Sequence, residues 1–139
     1  MMAVTRRYRF SSAHVLARPD WTPERNHAVY GKCAHPSGHG HNYSVEVTVR
    51  GDVDPETGRL VPLARLDALV KERVLDVLDR RWLDREVPQF EREVPTAENI
   101  ARFVWGALKG EISPATLHRV RLMETDNNSV EYSEDEEGR

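Results

Sequence analysis

Two histidines, His39 and His41, lie one residue apart where a glycine-rich stretch gives way to an alternating run of apolar and polar residues. Side chains of an extended strand repeat every two residues, so both imidazoles point to the same side and can bind one ion together. His14, which closes an earlier alternating run, offers a third imidazole. Three histidines without an obvious fourth protein ligand are typical of a catalytic zinc site, which keeps one position open for water or substrate.

The ligand type narrows the choice of metal. Neutral nitrogen ligands suit Zn²⁺ better than Mg²⁺ or Ca²⁺, which prefer oxygen, although Fe²⁺, Co²⁺ and Ni²⁺ are also compatible. The alternative interpretation is a polar loop without a metal, because two histidines with this spacing also occur by chance. The spacing alone leaves both interpretations open.

The overall composition predicts a single cytoplasmic domain. With 139 residues, 39% of them hydrophobic and 31% charged, the chain is long enough to bury a core. No apolar run approaches the ~20 residues that cross a bilayer, so no membrane association is expected. The net charge of −3 argues against general nucleic-acid binding. Cys33 is the only cysteine, which excludes an intrachain disulfide and fits a reducing compartment.

Apolar periodicity predicts two strands, then two helices, then two strands. Residues 15–40 are expected to form a loop, because proline and glycine recur along them. This loop carries Cys33 and three of the six histidines, so we interpret it as functional. The predicted strands are 4–14, 42–50, 117–126 and 129–133, and the predicted helices are 62–81 and a second one from a Thr96 cap to a stop at Gly110.

The element order ββααββ predicts an α+β fold, in which two helices cover one face of a four-stranded antiparallel sheet. Residues 1–133 are expected to form one domain, with Asn127 and Asn128 in the turn of the last hairpin. Residues 134–139 form an acidic tail that is expected to be disordered. A short chain cannot easily cover both edges of such a sheet, so closure against neighbouring subunits is expected.

Six stretches of the chain together resemble the 6-pyruvoyltetrahydropterin synthase family, which includes the 6-carboxytetrahydropterin synthases of queuosine biosynthesis. They follow the family order over nearly the whole chain, and their residues resemble the pyruvoyl branch more than the carboxy branch. The matching stretches are Phe10–His14, Tyr30–Cys33, Pro36–Tyr43, Val53–Gly58, Pro95–Asn99 and Glu124–Asn128.

The resemblance implies a tunnelling fold, in which trimers close a β-barrel and pair as hexamers with active sites between subunits. It implies a zinc-dependent lyase that converts 7,8-dihydroneopterin triphosphate to 6-pyruvoyl-tetrahydropterin and releases triphosphate. A carboxy-branch enzyme would use the same substrate but would also release acetaldehyde. A third alternative is a pterin-binding zinc protein with reduced turnover.

The resemblance also assigns roles to individual residues. His14, His39 and His41 would hold the zinc, and Cys33, as a thiolate, would be the base that removes a proton. Glu124 would anchor the guanidine-like edge of the pterin with two hydrogen bonds. Thr96 and Glu98 match another family stretch and are candidate substrate contacts, although helix capping explains both equally well.

The sequence departs from the family at the proton relay. Family members typically have an Asp–His pair that polarises the catalytic cysteine; here Asp79 is followed by Arg80. Arginine does not release a proton near neutral pH, although its charge favours a nearby thiolate. His35, two residues after Cys33, is a candidate replacement or else a solvent-exposed loop residue. We therefore expect a slow enzyme with an altered pH profile.

Overall fold

The computed structural model describes residues 1–134 as an α+β fold with one sheet. Its strands are β1 (Met2–His14), β2 (His39–Gly51), β3 (Arg81–Trp82), β4 (Thr116–Thr125) and β5 (Asn128–Tyr132). Its helices are α1 (Pro23–Tyr30), α2 (Leu63–Val70), α3 (Asp76–Leu78), α4 (Leu83–Glu86) and α5 (Ala97–Leu108). A π-helical turn (Lys71–Leu75) joins α2 to α3, and 3₁₀ turns cover Gly31–Ala34 and Pro88–Glu91.

The sheet has five strands in the order β3-β1-β2-β4-β5, rather than the four predicted. The long strands β1 and β2 pair antiparallel over their whole length, from Met2 opposite Gly51 to His14 opposite His39. The additional strand β3 is only two residues long and pairs parallel with the end of β1. The architecture is the predicted α+β sheet, and its edges are open in the single chain.

The core lies between one face of the sheet and the helices, as the alternating patterns predicted. Phe10, Tyr43 and Val45 are at most 3% exposed on the sheet side. The helical segments α2, the π-helical turn, α3 and α5 contribute apolar side chains, which pack in the same cluster. The helix-side members of this cluster are Leu66, Val70, Val74, Leu78, Ile100, Val104 and Leu108. Burial of this continuous apolar stripe is the main stabilising contribution of the helices.

The prediction of a loop over residues 15–40 is wrong, because the segment contains helix α1. Its only buried residue is Asn26, so the helix has no apolar stripe from which periodicity could be recognised. The start of the helix could have been recognised from the sequence, because Thr22 and Pro23 are typical of a helix N-terminus. The Thr22 hydroxyl accepts a hydrogen bond from the Arg25 N–H, and Pro23 occupies the first turn. The segment is therefore ordered around its own capped helix.

The predicted helix 62–81 ends earlier, at Leu78. Arg80 has φ 60°, the left-handed conformation that side chains disfavour. Its N–H donates to the Ser11 carbonyl oxygen at 2.6 Å instead of continuing a helix. The chain then pairs with β1 as strand β3.

The C-terminal hairpin and the tail differ from the prediction in detail. The turn residues are Asp126 and Asn127, whereas Asn128 is already in β5. Glu134, the first residue of the predicted tail, accepts hydrogen bonds from Lys109 and Tyr132. The rest of the predicted disordered tail, residues 135–139, lies outside the described residues. Within residues 1–134 no helix combines the length and apolar character needed to span a bilayer.

Candidate metal and substrate site

The paired ends of β1 and β2 bring the three predicted histidines together. His14 lies opposite His39, and Ser12 lies opposite His41, so all three imidazoles fall on the helix-facing side of the sheet. One nitrogen from each ring lies within 4.8 Å of the others, and His14 Nε2 is 3.0 Å from His39 Nε2. Among the described residues this is the one cluster with metal-ligand geometry.

His14 is held in place by its second ring nitrogen. Its Nδ1–H donates to the carbonyl oxygen of Pro95 at 2.8 Å, and the Tyr43 hydroxyl oxygen is 3.4 Å from the same nitrogen. Such a bond fixes the tautomer and leaves the Nε2 lone pair free for a ligand bond. Tyr43 is 1% exposed and Pro95 is buried, so these supports are part of the packed interior.

Burial lowers the pKa of two of the three histidines, His14 and His39. It lowers the pKa of His14, which is fully buried, against opposing contributions from the Pro95 hydrogen bond and the Glu124 carboxylate. The pKa of His39 is lowered mainly by burial and further by His41. A neutral imidazole is the form that binds a metal, so the environment favours ligation.

The donor set fits Zn²⁺. Two nitrogens of a tetrahedral zinc, each at ~2.0–2.1 Å from the ion, are about 3.3–3.4 Å apart, so separations of up to 4.8 Å between the three nitrogens must shorten by roughly 1.5 Å when the cluster closes on an ion. Nitrogen ligands alone disfavour Mg²⁺ and Ca²⁺. Three imidazoles leave an open coordination position for a substrate atom or water.

Glu124 lies beside this cluster. Its Oε2 is 3.9 Å from His41 Nε2, and the glutamate side chain is only 16% exposed. Asn128 Nδ2 donates to Glu124 Oε1 at 3.3 Å, which orients the carboxylate from β5. A carboxylate acceptor in a sheltered position next to a metal cluster can orient a ligand that carries paired N–H donors.

Thr96 and Glu98 lie at the start of α5. The Thr96 hydroxyl accepts a hydrogen bond from the Asn99 N–H at 3.2 Å, so it caps the helix as predicted. Glu98 is exposed in the first helical turn. Thr96 directly follows Pro95 and Glu98 lies three residues after it, so this helix end begins beside the residue that hydrogen-bonds to His14.

The structure does not join Cys33, Asp79 and His35 into a relay within one chain. The Cys33 side chain is half-buried, and its carbonyl oxygen accepts a hydrogen bond from the Leu16 N–H, two residues beyond His14. The Asp79 carboxylate instead accepts a hydrogen bond from the Ser11 N–H at 2.9 Å. His35 is exposed, and its Nδ1 accepts from the Ser37 N–H.

Sequence reasoning missed the supporting residues Pro95 and Tyr43. Tyr43 could have been found, because it continues the period-two spacing of His39 and His41 along β2. Pro95 acts through its backbone carbonyl, and no side-chain pattern identifies such a contact.

The fold and the site define the class of protein: an α+β chain with three histidines placed to bind a metal, where β1 ends and β2 begins. A family model described as 6-pyruvoyl tetrahydropterin synthase matches residues 3–135. The 6-pyruvoyl tetrahydrobiopterin synthase of Homo sapiens is 43% identical over 129 residues, which span 93% of this chain and 89% of that protein. The Drosophila melanogaster protein of the same name is 36% identical over 130 residues, 93% of this chain and 77% of its own.

Solved structures agree with the sequence matches. The structure of Caenorhabditis elegans 6-pyruvoyl tetrahydropterin synthase has a TM-score of 0.91 at 37% identity and covers 96% of both chains. The Plasmodium falciparum 6-pyruvoyl tetrahydropterin synthase, at 16% identity, covers 96% of this chain and 97% of its own with a TM-score of 0.64, which shows the shared fold. This chain belongs to the 6-pyruvoyl tetrahydropterin synthase family.

Proposed function

We propose that the protein is a zinc-dependent lyase that converts 7,8-dihydroneopterin triphosphate to 6-pyruvoyl-tetrahydropterin and releases triphosphate. The observation that carries the proposal is the convergence of three imidazoles beside Glu124 in a member of this family. The names of the curated relatives support a pterin substrate.

His14, His39 and His41 would hold the zinc, with the His14 ring oriented by the Pro95 carbonyl. Bound there, Zn²⁺ supplies Lewis acidity toward the hydroxyl groups of the substrate side chain. The fold brings the three imidazoles to one point and lowers the pKa of His14 and His39, which supports a site that is organised before substrate arrives.

Glu124 would anchor the pterin. Its carboxylate can accept two N–H hydrogen bonds from the guanidine-like edge of the ring, and its low exposure strengthens such bonds. The ring would then lie next to His41, which brings the side chain of the substrate to the metal cluster. Thr96 and Glu98 are secondary candidates for contacts, since they begin the helix that supports His14.

Cys33 would remove the proton as a thiolate, and Asp79 and His35 would serve the relay. Within the single chain, Asp79 and His35 bond to Ser11 and Ser37 rather than to Cys33. Arg80 cannot return a proton near neutral pH. Proton return would then use His35 or water, which predicts slow turnover.

The second candidate function is pterin binding with reduced turnover. It is favoured by Arg80, which stands where the family relay has histidine, and by the engagement of Asp79 with β1. Such a protein would retain the zinc and the pterin but release little triphosphate.

The deciding experiment is incubation of the zinc-loaded protein with 7,8-dihydroneopterin triphosphate, followed by mass spectrometry of the pterin and a triphosphate assay. The 6-pyruvoyl product with triphosphate supports the proposal. The 6-carboxy product with acetaldehyde identifies the carboxy branch, and tight pterin binding without triphosphate release identifies the second candidate. His39→Ala is the matched inactive control, because it removes one of the three clustered imidazoles, at the start of β2 where the side chain is half-buried.

We also propose a homo-trimer or homo-hexamer in the cytoplasm. The open sheet edges β3 and β5 support assembly, because unpaired strand edges favour pairing with further chains. The single free thiol Cys33 supports a reducing compartment.

A further inference from the structure

The loop between α3 and β3 carries two adjacent arginines, Arg80 and Arg81, fastened to the edge of β1. The Arg80 N–H donates to the Ser11 carbonyl oxygen at 2.6 Å, and Asp79 accepts from the Ser11 N–H at 2.9 Å. Both backbone groups of one β1 residue therefore hold this loop. The left-handed backbone of Arg80 costs ~1 kcal/mol or more, and such conformations persist where the surroundings impose them, often at ligand sites.

Neither guanidinium group forms an ion pair with a carboxylate of residues 1–134, although Arg81 also lines a second cavity that contains Asp67, Asp76 and Asp79. Both residues are exposed. Two arginines of β1 do form ion pairs, since Arg6 pairs with Asp67 and Arg7 with Glu46, both at 2.7 Å. An uncompensated pair of guanidinium groups is suited to bind an anion from solution, and the planar guanidinium matches phosphate oxygens in a bidentate manner.

The pair borders an open cleft of about 490 Å³, within the ~300–1,000 Å³ range of small-molecule sites. The metal ligand His41 lines the same cleft, together with polar side chains of β1 and β2. Glu86 is the one acidic lining residue, and its carboxylate accepts a hydrogen bond from the Trp82 N–H at 3.1 Å. The other lining residues are Ser11, Ser12, Ala13, Gly40, Asn42 and Trp82.

The strand order shows where this cleft lies relative to Glu124 and the three histidines. Glu124 is on β4, the histidines are on β1 and β2, and the two arginines precede or begin β3. Because the order is β3-β1-β2-β4, the metal ligands lie between the proposed pterin anchor and the arginine pair. The proposed substrate has the same order of parts, with a pterin ring, a hydroxylated side chain and a triphosphate.

From this arrangement we infer that Arg80 and Arg81 form the binding site for the triphosphate group of the substrate. The inference rests on the proposed function for the identity of the ligand, but the site itself is an inorganic polyphosphate site. It gives the arginine at position 80 a binding role in place of the proton relay that a histidine would serve. The exposed position suits a group that leaves as a product.

Calorimetric titration of the zinc-loaded protein with inorganic tripolyphosphate tests the inference without turnover. Arg80→Gln and Arg81→Gln should each weaken tripolyphosphate binding about tenfold or more, the scale of losing a charge-assisted hydrogen bond. Arg59→Gln, in an exposed turn outside the cleft, is the charge-matched control and should bind as the wild type does. Binding of dephosphorylated 7,8-dihydroneopterin should be equal in all four proteins.

Equal tripolyphosphate affinity in wild type, Arg80→Gln and Arg81→Gln would overturn the inference, as would absence of binding to the wild type. Loss of dihydroneopterin binding in the arginine variants would also overturn it, because the defect would then be general. If tripolyphosphate binding depends on both arginines but no pyruvoyl or carboxy product forms, the anion site stands and the proposed reaction fails.

Discussion

His14 is fully buried at the end of β1 and uses its two ring nitrogens for different purposes. Nδ1 is committed to the Pro95 carbonyl, while Nε2 faces His39. His39 and His41 are less buried and lie in the first three residues of β2. The three histidines therefore differ in burial, and His14 is oriented by the hydrogen bond of its second ring nitrogen.

Replacing Cys33 with alanine should separate proton transfer from metal binding. We expect Cys33→Ala to retain zinc and fold but to lose roughly 10²- to 10⁴-fold in turnover, the contribution usual for a positioned base. His39→Ala is the contrasting variant and should lose zinc. Metal content by plasma mass spectrometry and single-turnover kinetics measure both effects. Loss of zinc from Cys33→Ala would instead make Cys33 a fourth ligand and the site structural.

Arg80→His restores the residue expected for a proton relay. We expect the turnover number to rise about tenfold or more, because positioned acid–base groups contribute roughly 10²–10⁴. KM should rise as well, because a neutral imidazole binds a triphosphate less well than a guanidinium. His35→Asn should lower turnover if His35 has taken over the relay. If the turnover of both variants follows the same pH dependence as the wild type between about pH 6 and pH 9, positions 80 and 35 take no part in proton transfer.

At the scale of elements, the loop entering β2 is fixed by close packing at Gly38. This glycine has φ 70°, and a Cβ built there would lie 2.6 and 2.8 Å from two ring carbons of Trp82. Trp82 is in β3, so the short added strand holds the residue that precedes the ligand His39. The contact explains how a two-residue strand influences the metal site.

Gly38→Ala should therefore destabilise the fold and weaken metal binding. We expect a loss of roughly 2–4 kcal/mol in the free energy of unfolding, from the backbone conformation and from overpacking. Gly58→Ala is the matched control, because Gly58 also has φ 70° but has no atom within 4 Å of the added Cβ. Urea unfolding and zinc titration provide the comparison. Equal stability and equal zinc affinity in the two variants would contradict the packing argument.

The elements also show what the sequence could and could not reveal. The amphipathic stripe of α5 and the alternation of β1 and β2 are local patterns, so their positions were predictable. Helix α1 has no apolar stripe, and β3 exists only through its pairing with β1. The histidine cluster could be predicted in part because His39 and His41 share strand periodicity, whereas the Pro95 carbonyl could not, because tertiary packing alone brings it to His14.

At the scale of the whole molecule, the single chain leaves the sheet open on both sides. β3 and β5 are the edge strands, and the face opposite the helices carries a polar cavity of about 630 Å³ lined by residues such as Arg7, Arg9 and Arg121. A broad polar sheet face with open edges is better suited to assembly than to isolation in solvent.

The protein should therefore form a trimer or hexamer in solution. Light scattering coupled to gel filtration, at micromolar concentration and over a dilution series, gives the mass directly. Edge pairing predicts a stable assembly, since closure of a sheet into a barrel removes every edge, and the resemblance described above implies a multiple of three chains. A monodisperse monomer throughout the series would contradict this prediction.

The bond between His14 and Pro95 also connects the metal site to the stability of a helix distant in sequence. Pro95 directly precedes the first turn of α5, where the Ile100 N–H donates to the Thr96 carbonyl oxygen at 2.9 Å. Chelation of the metal should free the His14 ring to reorient, which loosens the Pro95 carbonyl and permits local opening of that turn. Hydrogen exchange at the Ile100 amide should then accelerate, while the Lys109 amide at the far end of α5, bonded to the Trp105 carbonyl oxygen, should keep its protection. Removal of the metal would thus lower the free energy of local opening at the first turn of α5. Equal exchange rates at the Ile100 amide in loaded and chelated protein would show that metal binding and the stability of this turn are independent.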